Sequence, residues 1–200
     1  RVPERRNLAT VRKGEYEGLA EKLKDPNWQP DYGTAIFNAQ SGATITGARV
    51  FLIAYNVNLS SNNKDIAHEI ALRIRESGRT KKDATGNSIK IPGSLKSVKA
   101  MGVFLDRFNI GQVSINLTNF EVTPPHVAFE EVRKEARSLG VEVTGSEIVG
   151  LIPREALLMA GRFYSPQQGP GMGEDALVQT AIEKLGLSQF EPFDPKKKVI

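Results

Sequence analysis

The sequence predicts a mixed α/β domain of the α+β kind, a ferredoxin-like βαββαβ sandwich with a mostly antiparallel or mixed sheet, helices on one face and extra C-terminal helices. Two observations predict it. Four apolar or alternating stretches typical of strands are separated by two long amphipathic stretches typical of helices, and their order is β-α-β-β-α-β. In this topology strands one and three are central neighbours, and one sheet face is left for solvent, another domain or a ligand.

The first strand and the first long helix are predicted between residues 51 and 78. The strand, residues 51–59, is predicted to be buried on both faces at its start, and Asn56 and Asn58 occupy its far end. A helix begins near Asn63 and is expected to stop at Gly78. Its apolar stripe consists of Ile66, Ala67, Ile70, Ala71 and Ile74.

Two further strands follow an irregular, polar excursion over residues 81–92. The second strand is predicted at residues 97–105 and the third at 110–120. Strand three alternates, with Val113, Ile115 and Leu117 on one face. Its other face carries Gln112, Ser114, Asn116 and Thr118.

The remaining elements complete the predicted sandwich. Thr123 is expected to cap the second long helix, with Pro124 in its first turn and Gly140 at its end. The inward residues of this helix are predicted to be Val127, Val132, Ala136 and Leu139. A fourth strand over 141–152, broken near Gly145, precedes helices at 153–164 and 174–185, which a loop at 165–173 separates.

The first fifty residues have a different character. Leu8, Val11, Leu19 and Leu23 indicate short helical turns, and residues 25–42, rich in Pro, Gly and small polar residues, indicate a loop. The chain begins without Met on a segment that resembles the middle of a fold, so we expect a fragment of a longer protein.

Composition restricts the class of protein. The 200 residues include no cysteine, which excludes disulfides and thiolate metal sites and favours a reducing, cytoplasmic location. No stretch resembles a membrane span or a signal peptide. The net charge is only +4. The densest basic cluster is interpreted as a solvated helix end and loop. Its residues are Arg73, Arg75, Arg79, Lys81 and Lys82.

Polar residues on the two central strands predict a hydrogen-bonding surface. If Asn56 and Asn58 share the open face with Gln112, Ser114 and Asn116, that face is uncharged and rich in groups that both donate and accept. Such a surface suits a heterocycle or an amino-acid substrate. A solvated sheet face is the alternative.

No catalytic motif is complete. The run GPGMG lies in a loop without a preceding strand, so it is a weak phosphate-loop candidate. His68 is expected at a helix surface. His126, in the first helical turn, is expected to be kept neutral by the helix N-terminus, in a structural rather than a catalytic role. Glu147 is the only acid flanked by an apolar strand. No metal site is expected.

A series of segments in one order gives the chain a family resemblance. They are RRNLATVRKGEYEGL, DYGTAIFNAQSGATITGARVFLIAYNVNL, PGSLKSVKAMG, NIGQVSINLTNFEVTPPHVAFEEVRKEA, GSEIVGLIPREALL and LGLSQFEPFDP. This pattern, which covers nearly the whole chain, resembles glutamate formimidoyltransferase. The resemblance implies transfer of the formimino group of N-formimino-L-glutamate to tetrahydrofolate in histidine degradation. It also implies two α/β subdomains with folate in a tunnel at their junction.

The resemblance assigns a folate-binding segment to residues 33–42. These are Gly33, Thr34, Ala35, Ile36, Phe37, Asn38, Ala39, Gln40, Ser41 and Gly42. Glycines allow backbone donors to approach a planar ligand, and Phe37 can pack against a ring. The family has a Trp where this chain has Ser41, so one stacking contact is in question. An interdomain connector is the alternative. Asn56, Asn58 and Asn116 are additional candidates.

The resemblance also predicts organisation and partners. Residues 1–51 correspond to the end of the N-terminal subdomain and the folate-binding linker, 52–195 to the C-terminal subdomain, and 196–200 to a solvated tail. The family's catalytic histidine lies in the first subdomain and matches neither His68 nor His126, so this chain alone is expected to be inactive. The expected partners are formiminoglutamate, tetrahydrofolate, the remainder of the N-terminal subdomain and further copies of the chain.

Two other classes of function remain open. A ferredoxin-like sheet with a pI of about 9.3 resembles RNA-binding modules, but these need aromatic residues on the central strands for base stacking, and strand three carries amides and hydroxyls. No nucleic-acid or membrane partner is therefore expected. A non-catalytic ligand-binding or assembly module is the second alternative.

Overall fold

A computed structural model describes residues 2–165 and 171–200. The chain forms two compact units, Arg1–Ala48 and Arg49–Ile200. The glycine-rich loop predicted at 165–173 falls mostly on residues outside the described ranges. The phosphate-loop interpretation therefore stays a prediction.

The first unit contains short helices and irregular backbone. Its helices are the 3-10 turns Pro3–Arg5 and Pro26–Trp28 and the α-helices α1 (Leu8–Arg12) and α2 (Leu19–Lys22). Lys22 of α2 connects this helix to the end of α1, since its Nζ donates to the carbonyl oxygens of Thr10, Val11 and Lys13 at 3.2, 2.6 and 3.1 Å. No residue among 2–48 is fully buried, so this unit is held together by polar and partly exposed contacts.

The second unit confirms the ferredoxin-like prediction. Its elements are β1 (Ile53–Leu59), α3 (Lys64–Ile74), β2 (Arg79–Lys82), β3 (Ser88–Ile91), β4 (Val98–Leu105), β5 (Ile110–Leu117), α4 (Pro125–Ser138), β6 (Val143–Val149), α5 (Arg154–Tyr164), α6 (Glu174–Lys184) and α7 (Pro195–Lys198). The main sheet has the order β4-β5-β1-β6, and each neighbouring pair is antiparallel. The predicted first and third strands are therefore the central neighbours β1 and β5.

The core lies between the sheet and its helices. Ile53, Tyr55, Val57 and Leu59 alternate along β1 and are completely buried, because one face of the strand is covered. Ala67, Ile70, Ala71 and Ile74 are the buried stripe of α3, as predicted. Gly102 of β4 lets α3 approach closely, since a Cβ at this position would lie 2.1 Å from the backbone nitrogen of His68.

Several local predictions were wrong. Residues 79–91, predicted to be partly irregular, form the antiparallel hairpin β2–β3, and α3 ends at Ile74, four residues before Gly78. Thr123 does not cap α4: its hydroxyl donates to the carbonyl of Lys96 at 2.6 Å, and Pro124 occupies the N-cap position. Val127, predicted to face inward, is 38% exposed, and Phe51, at the start of the strand predicted to be buried on both faces, is 39% exposed.

The C-terminal part of the chain packs more closely than a solvated tail. Strand β6 continues through Gly145 with a register shift opposite Asn58 and Leu59. The last residues form α7, and Val199 then forms a parallel bridge with Ile152. In the described ranges, no helix has both the length and the hydropathy needed to cross a bilayer.

Candidate functional site

The segment 33–42 is organised around Asn38. Its Oδ1 accepts hydrogen bonds from the backbone nitrogens of Gln40 and Ser41 at 2.9 and 3.1 Å. The backbone nitrogen of Gly42 donates to the Asn38 carbonyl at 2.8 Å. Gly42 has a φ of +60°, a conformation that glycine adopts without steric cost. The segment therefore forms a defined turn.

Tyr16 holds this turn within the first unit. Its hydroxyl donates to the carbonyl of Ala39 at 2.6 Å, and its ring lies 5.4 Å from that of Phe37, tilted by 57°. Phe37 therefore already has an aromatic neighbour. Ile36, in contrast, is 75% exposed.

A cleft of about 470 Å³ lies within the first unit, a size typical of small-molecule sites. Of the ten predicted folate-binding residues, only Ser41 and Gly42 line it. Trp28 also lines it, with the Lys22 ammonium 4.3 Å from the centre of its ring. Other lining residues include Arg5, Arg12, Lys13, Tyr16 and Tyr32, so aromatic surface and cations occur together.

In the second unit, the predicted polar residues share the sheet face opposite the helical core, here called the open face, although Asn58 and Gln112 are buried there, at 0% and 2% exposure. Strand pairing places Asn56 opposite Ser114 and Asn58 opposite Gln112. Asn116 lies opposite Ala54 on the same face. Neither central strand carries an aromatic side chain there.

The prediction that this face is uncharged was wrong, because Glu147 of β6 lies opposite Asn56. One carboxylate oxygen, Oε1, accepts from Asn56 Nδ2 at 3.0 Å and from Gln112 Nε2 at 2.9 Å. Gln112 Nε2 also donates to Asn58 Oδ1 at 2.7 Å. Glu147, Asn56, Asn58 and Gln112 thus form one hydrogen-bonded group, here called the amide cluster.

A segment after α6 closes one end of the amide cluster. Asn58 Nδ2 donates to Gln189 Oε1 at 2.8 Å, and Gln189 Nε2 donates to Thr144 Oγ1 at 3.0 Å. Gly145 makes room for this segment, since a Cβ there would lie 2.4 Å from Gln189 Oε1. The next residue, Phe190, stacks on Phe108 with ring centres 3.8 Å apart.

Apolar side chains border the amide cluster. The pairing of β4 with β5 places Met101 and Val103 on the same face, opposite Ser114 and Gln112. Val149, opposite Ala54, borders it on the β6 side. Met101 and Val149 are 57% and 55% exposed, so a polar centre is flanked by accessible apolar surface.

The histidines lie elsewhere. His68 is exposed on α3. His126 is 7% exposed, and its ring stacks on Phe163 with centres 4.7 Å apart. Burial lowers the pKa of His126, and the negative charge of Glu130 partly offsets this. The expected neutral imidazole is therefore supported, but burial is the cause. Within the described residues no group of acids or histidines is arranged to hold a metal ion.

Sequence reasoning noticed Glu147 but did not connect it to the amides, and it missed Gln189. The signal for Glu147 was an acid inside an apolar strand. Gln189 has no comparable signal, because its partner Asn58 is 131 positions away.

Similarity to known proteins extends along nearly the whole chain. Residues 54–200 match the model of the formiminotransferase domain, and residues 1–49 match that of its N-terminal subdomain. The chain is 50% identical over 197 residues to the formimidoyltransferase-cyclodeaminase of Dictyostelium discoideum, covering 98% of this chain and 35% of the relative.

Shorter relatives give similar identities. The glutamate formimidoyltransferase of Streptococcus pyogenes serotype M1 is 46% identical over 162 residues, covering 81% of this chain and 50% of the relative. That of Thermoplasma acidophilum is 41% identical over 184 residues, covering 91% and 55%. The chain thus spans between about a third and about half of the length of these relatives.

Proposed function

This chain belongs to the formiminotransferase family, and we propose that it serves the transfer of the formimino group from N-formimino-L-glutamate to tetrahydrofolate in histidine degradation. The observation that carries the proposal is the match of residues 1–49 and 54–200 to two successive parts of the family. The names of relatives at 41% and 46% identity supply the donor, glutamate carrying a formimidoyl group.

The segment 33–42 is proposed to bind tetrahydrofolate. Asn38 fixes its turn through two backbone donors, and Tyr16 holds it through Ala39 and Phe37. A turn that is already ordered loses less conformational entropy on binding a planar ligand. Phe37 and the exposed Ile36 supply apolar surface for such a ligand.

The open sheet face is proposed to bind substrate as well. Asn56 and Asn58 belong to the amide cluster, and Asn116 lies on the same face. Amide side chains held by neighbours present fixed donors and acceptors, which favours specific recognition of a polar ligand.

The proposed contribution of this chain is binding and positioning. Transfer of the formimino carbon needs proton transfers as one nitrogen leaves and another attacks. Neither histidine lies in the amide cluster or among the residues of the cleft, so no base is assigned here, and the isolated chain is expected to be inactive. Holding two substrates in contact is itself a large part of catalysis.

The proposal also covers the cellular compartment and the assembly of the protein. A chain without cysteine is compatible with a reducing cytoplasm. Self-association, frequent in the family, is proposed as well. The RNA-binding alternative gains no support, because the central strands present amides and a hydroxyl where stacking would need aromatic rings.

Calorimetric titration of the chain with tetrahydrofolate tests the proposal. Saturable binding is expected, and Gly42→Val is expected to weaken it, because valine is strained at a φ of +60°. Gly47→Val is the control, since a Cβ at Gly47 meets nothing within 4 Å. Absence of binding, or equal loss in both variants, would contradict the assignment of segment 33–42.

A further inference from the structure

In the part of the chain that the structure describes, the carboxylate of Glu147 has no cationic partner. No Lys, Arg or His nitrogen of the described residues lies within 4.0 Å of it. Glu147 is half-buried at the middle of β6. Burying an ionised carboxylate is costly unless it is paired or hydrogen-bonded, and here only Oε1 receives hydrogen bonds from described residues. The other oxygen, Oε2, receives none from these residues.

The carboxylate orients its amide neighbours. A carboxylate can only accept hydrogen bonds, so Asn56 and Gln112 must turn their nitrogens toward it. Their oxygens, Asn56 Oδ1 and Gln112 Oε1, then accept no hydrogen bond from the described part of the chain. Together with Glu147 Oε2, three oxygens around one negative charge receive no hydrogen bond from the described residues.

Two of these oxygens belong to the half-buried side chains of Asn56 and Glu147, whereas Gln112 is only 2% exposed. Among described residues, the fully buried side-chain polar atoms without a partner are Arg79 Nε and His126 Nδ1. Asn56 Oδ1 and Glu147 Oε2 are not among them, so both keep some contact with solvent. The bordering Met101, Val103 and Val149 reduce the local polarity, which strengthens any charge interaction made there.

Two accessible acceptors and one negative charge fit a small cation that donates several N–H groups. The formimino group of formiminoglutamate is a formamidine, which is protonated at neutral pH and then resembles part of a guanidinium group. Guanidinium groups pair with carboxylates through planar N–H donors. We propose that Glu147, oriented by Asn56 and Gln112, binds the formimino group as its formamidinium cation. This inference rests on the proposed function.

The aminopyrimidinone ring of tetrahydrofolate also carries N–H donors, but it is neutral. A carboxylate without a cationic partner gains more from a cation, since Coulomb attraction adds to the hydrogen bonds. Glu147 takes no part in a proton transfer in this proposal. It selects the donor substrate and holds its reacting end.

The test compares two ligands that differ at one atom. N-formyl-L-glutamate has an oxygen where N-formimino-L-glutamate has the terminal nitrogen, so it lacks the cation. Both are titrated calorimetrically into the whole chain, into Glu147→Gln, and into the control Glu121→Gln, which changes an exposed acid outside the sheet. Tetrahydrofolate is titrated into each protein as well.

The wild-type chain is expected to bind the formimino compound about tenfold more tightly than the formyl compound, as the loss of a charge-assisted hydrogen bond predicts. In Glu147→Gln this preference disappears, while tetrahydrofolate affinity is unchanged. In Glu121→Gln both remain as in the wild type.

Each contrary result is distinguishable. Equal affinity of the wild type for the two glutamates overturns the inference without any variant having to fold, and retained tetrahydrofolate binding then leaves the proposed function standing. If Glu147→Gln weakens tetrahydrofolate instead, Glu147 belongs to the pterin and the inference is wrong. A wild-type chain that binds none of the three ligands overturns both.

Discussion

The hydroxyl of Tyr55 donates a hydrogen bond to Oγ of Ser146 at 3.0 Å in the core of the second unit. Both residues are buried, at 0% and 1% exposure. Ser146 in turn donates to the carbonyl of Leu185 at 2.5 Å, so the bond connects β1, β6 and the end of α6. Burial raises the pKa of Tyr55 strongly, and the phenol therefore stays a donor at every physiological pH.

Ser146→Ala is expected to destabilise the fold more than Tyr55→Phe. The serine variant leaves the Tyr55 hydroxyl buried without a partner, which costs about 1–3 kcal/mol, whereas the phenylalanine variant removes the hydroxyl itself and costs about 0.5–1.5 kcal/mol. Urea unfolding of both variants and of the double variant measures this. The double variant should be less destabilised than the sum, and strict additivity would contradict the argument.

Gly102→Ala is expected to destabilise the second unit by about 1–3 kcal/mol or more, as overpacking of a core does. The added methyl would meet the backbone of His68 and Ala67 in α3, and backbone cannot swing aside as a side chain can. Gly47→Ala is the control because its Cβ would meet nothing within 4 Å. Thermal unfolding followed by circular dichroism should separate the two variants, and equal midpoints would show that α3 tolerates displacement.

The stability of the second unit is expected to fall as pH drops below about 6.5. Burial lowers the pKa of His126 in the folded state, so the unfolded chain binds more protons between the folded value and the ordinary value of 6.5. Stability therefore rises with pH across that interval and is fully present above it. Urea unfolding at a series of pH values measures the slope.

His126→Phe should flatten that slope, because phenylalanine can stack on Phe163 without a titrating group. His68→Gln changes the exposed histidine of α3 and should leave the slope intact. If His68→Gln flattens the slope instead, the assignment to His126 is wrong.

Asn38→Ala is expected to weaken tetrahydrofolate binding about fivefold, equivalent to roughly 1 kcal/mol for lost hydrogen bonds. The variant removes the acceptor that orders the backbone of Gln40 and Ser41. Asn119→Ala is a matched control, since Asn119 Oδ1 accepts from the backbone nitrogen of Glu121 in the same way at 3.0 Å in another loop. Calorimetry on both variants decides, and an equal effect of the two would argue against a specific role for segment 33–42.

The local patterns that repeat every two or 3.6 residues were predictable. The alternation of Val113, Ile115 and Leu117 predicted β5 and its buried face, and the stripe of α3 predicted its packing side. The hairpin β2–β3 was not predicted, because its polar residues, such as Lys81 and Lys82, carry no apolar alternation and it is exposed. Thr123 is a residue type that often caps helices, but its hydroxyl donates to the carbonyl of Lys96 instead.

The sequence by itself determined the order of the main-sheet strands and the long helices, the polar character of the open face and the family, because periodicity and motif order are local properties of the chain. Only the tertiary structure decided which polar groups meet. Glu147 lies 91 positions from Asn56 and Gln189 lies 131 from Asn58. Contacts over such separations depend on strand register and on the path of the chain after α6, which packing of the core decides.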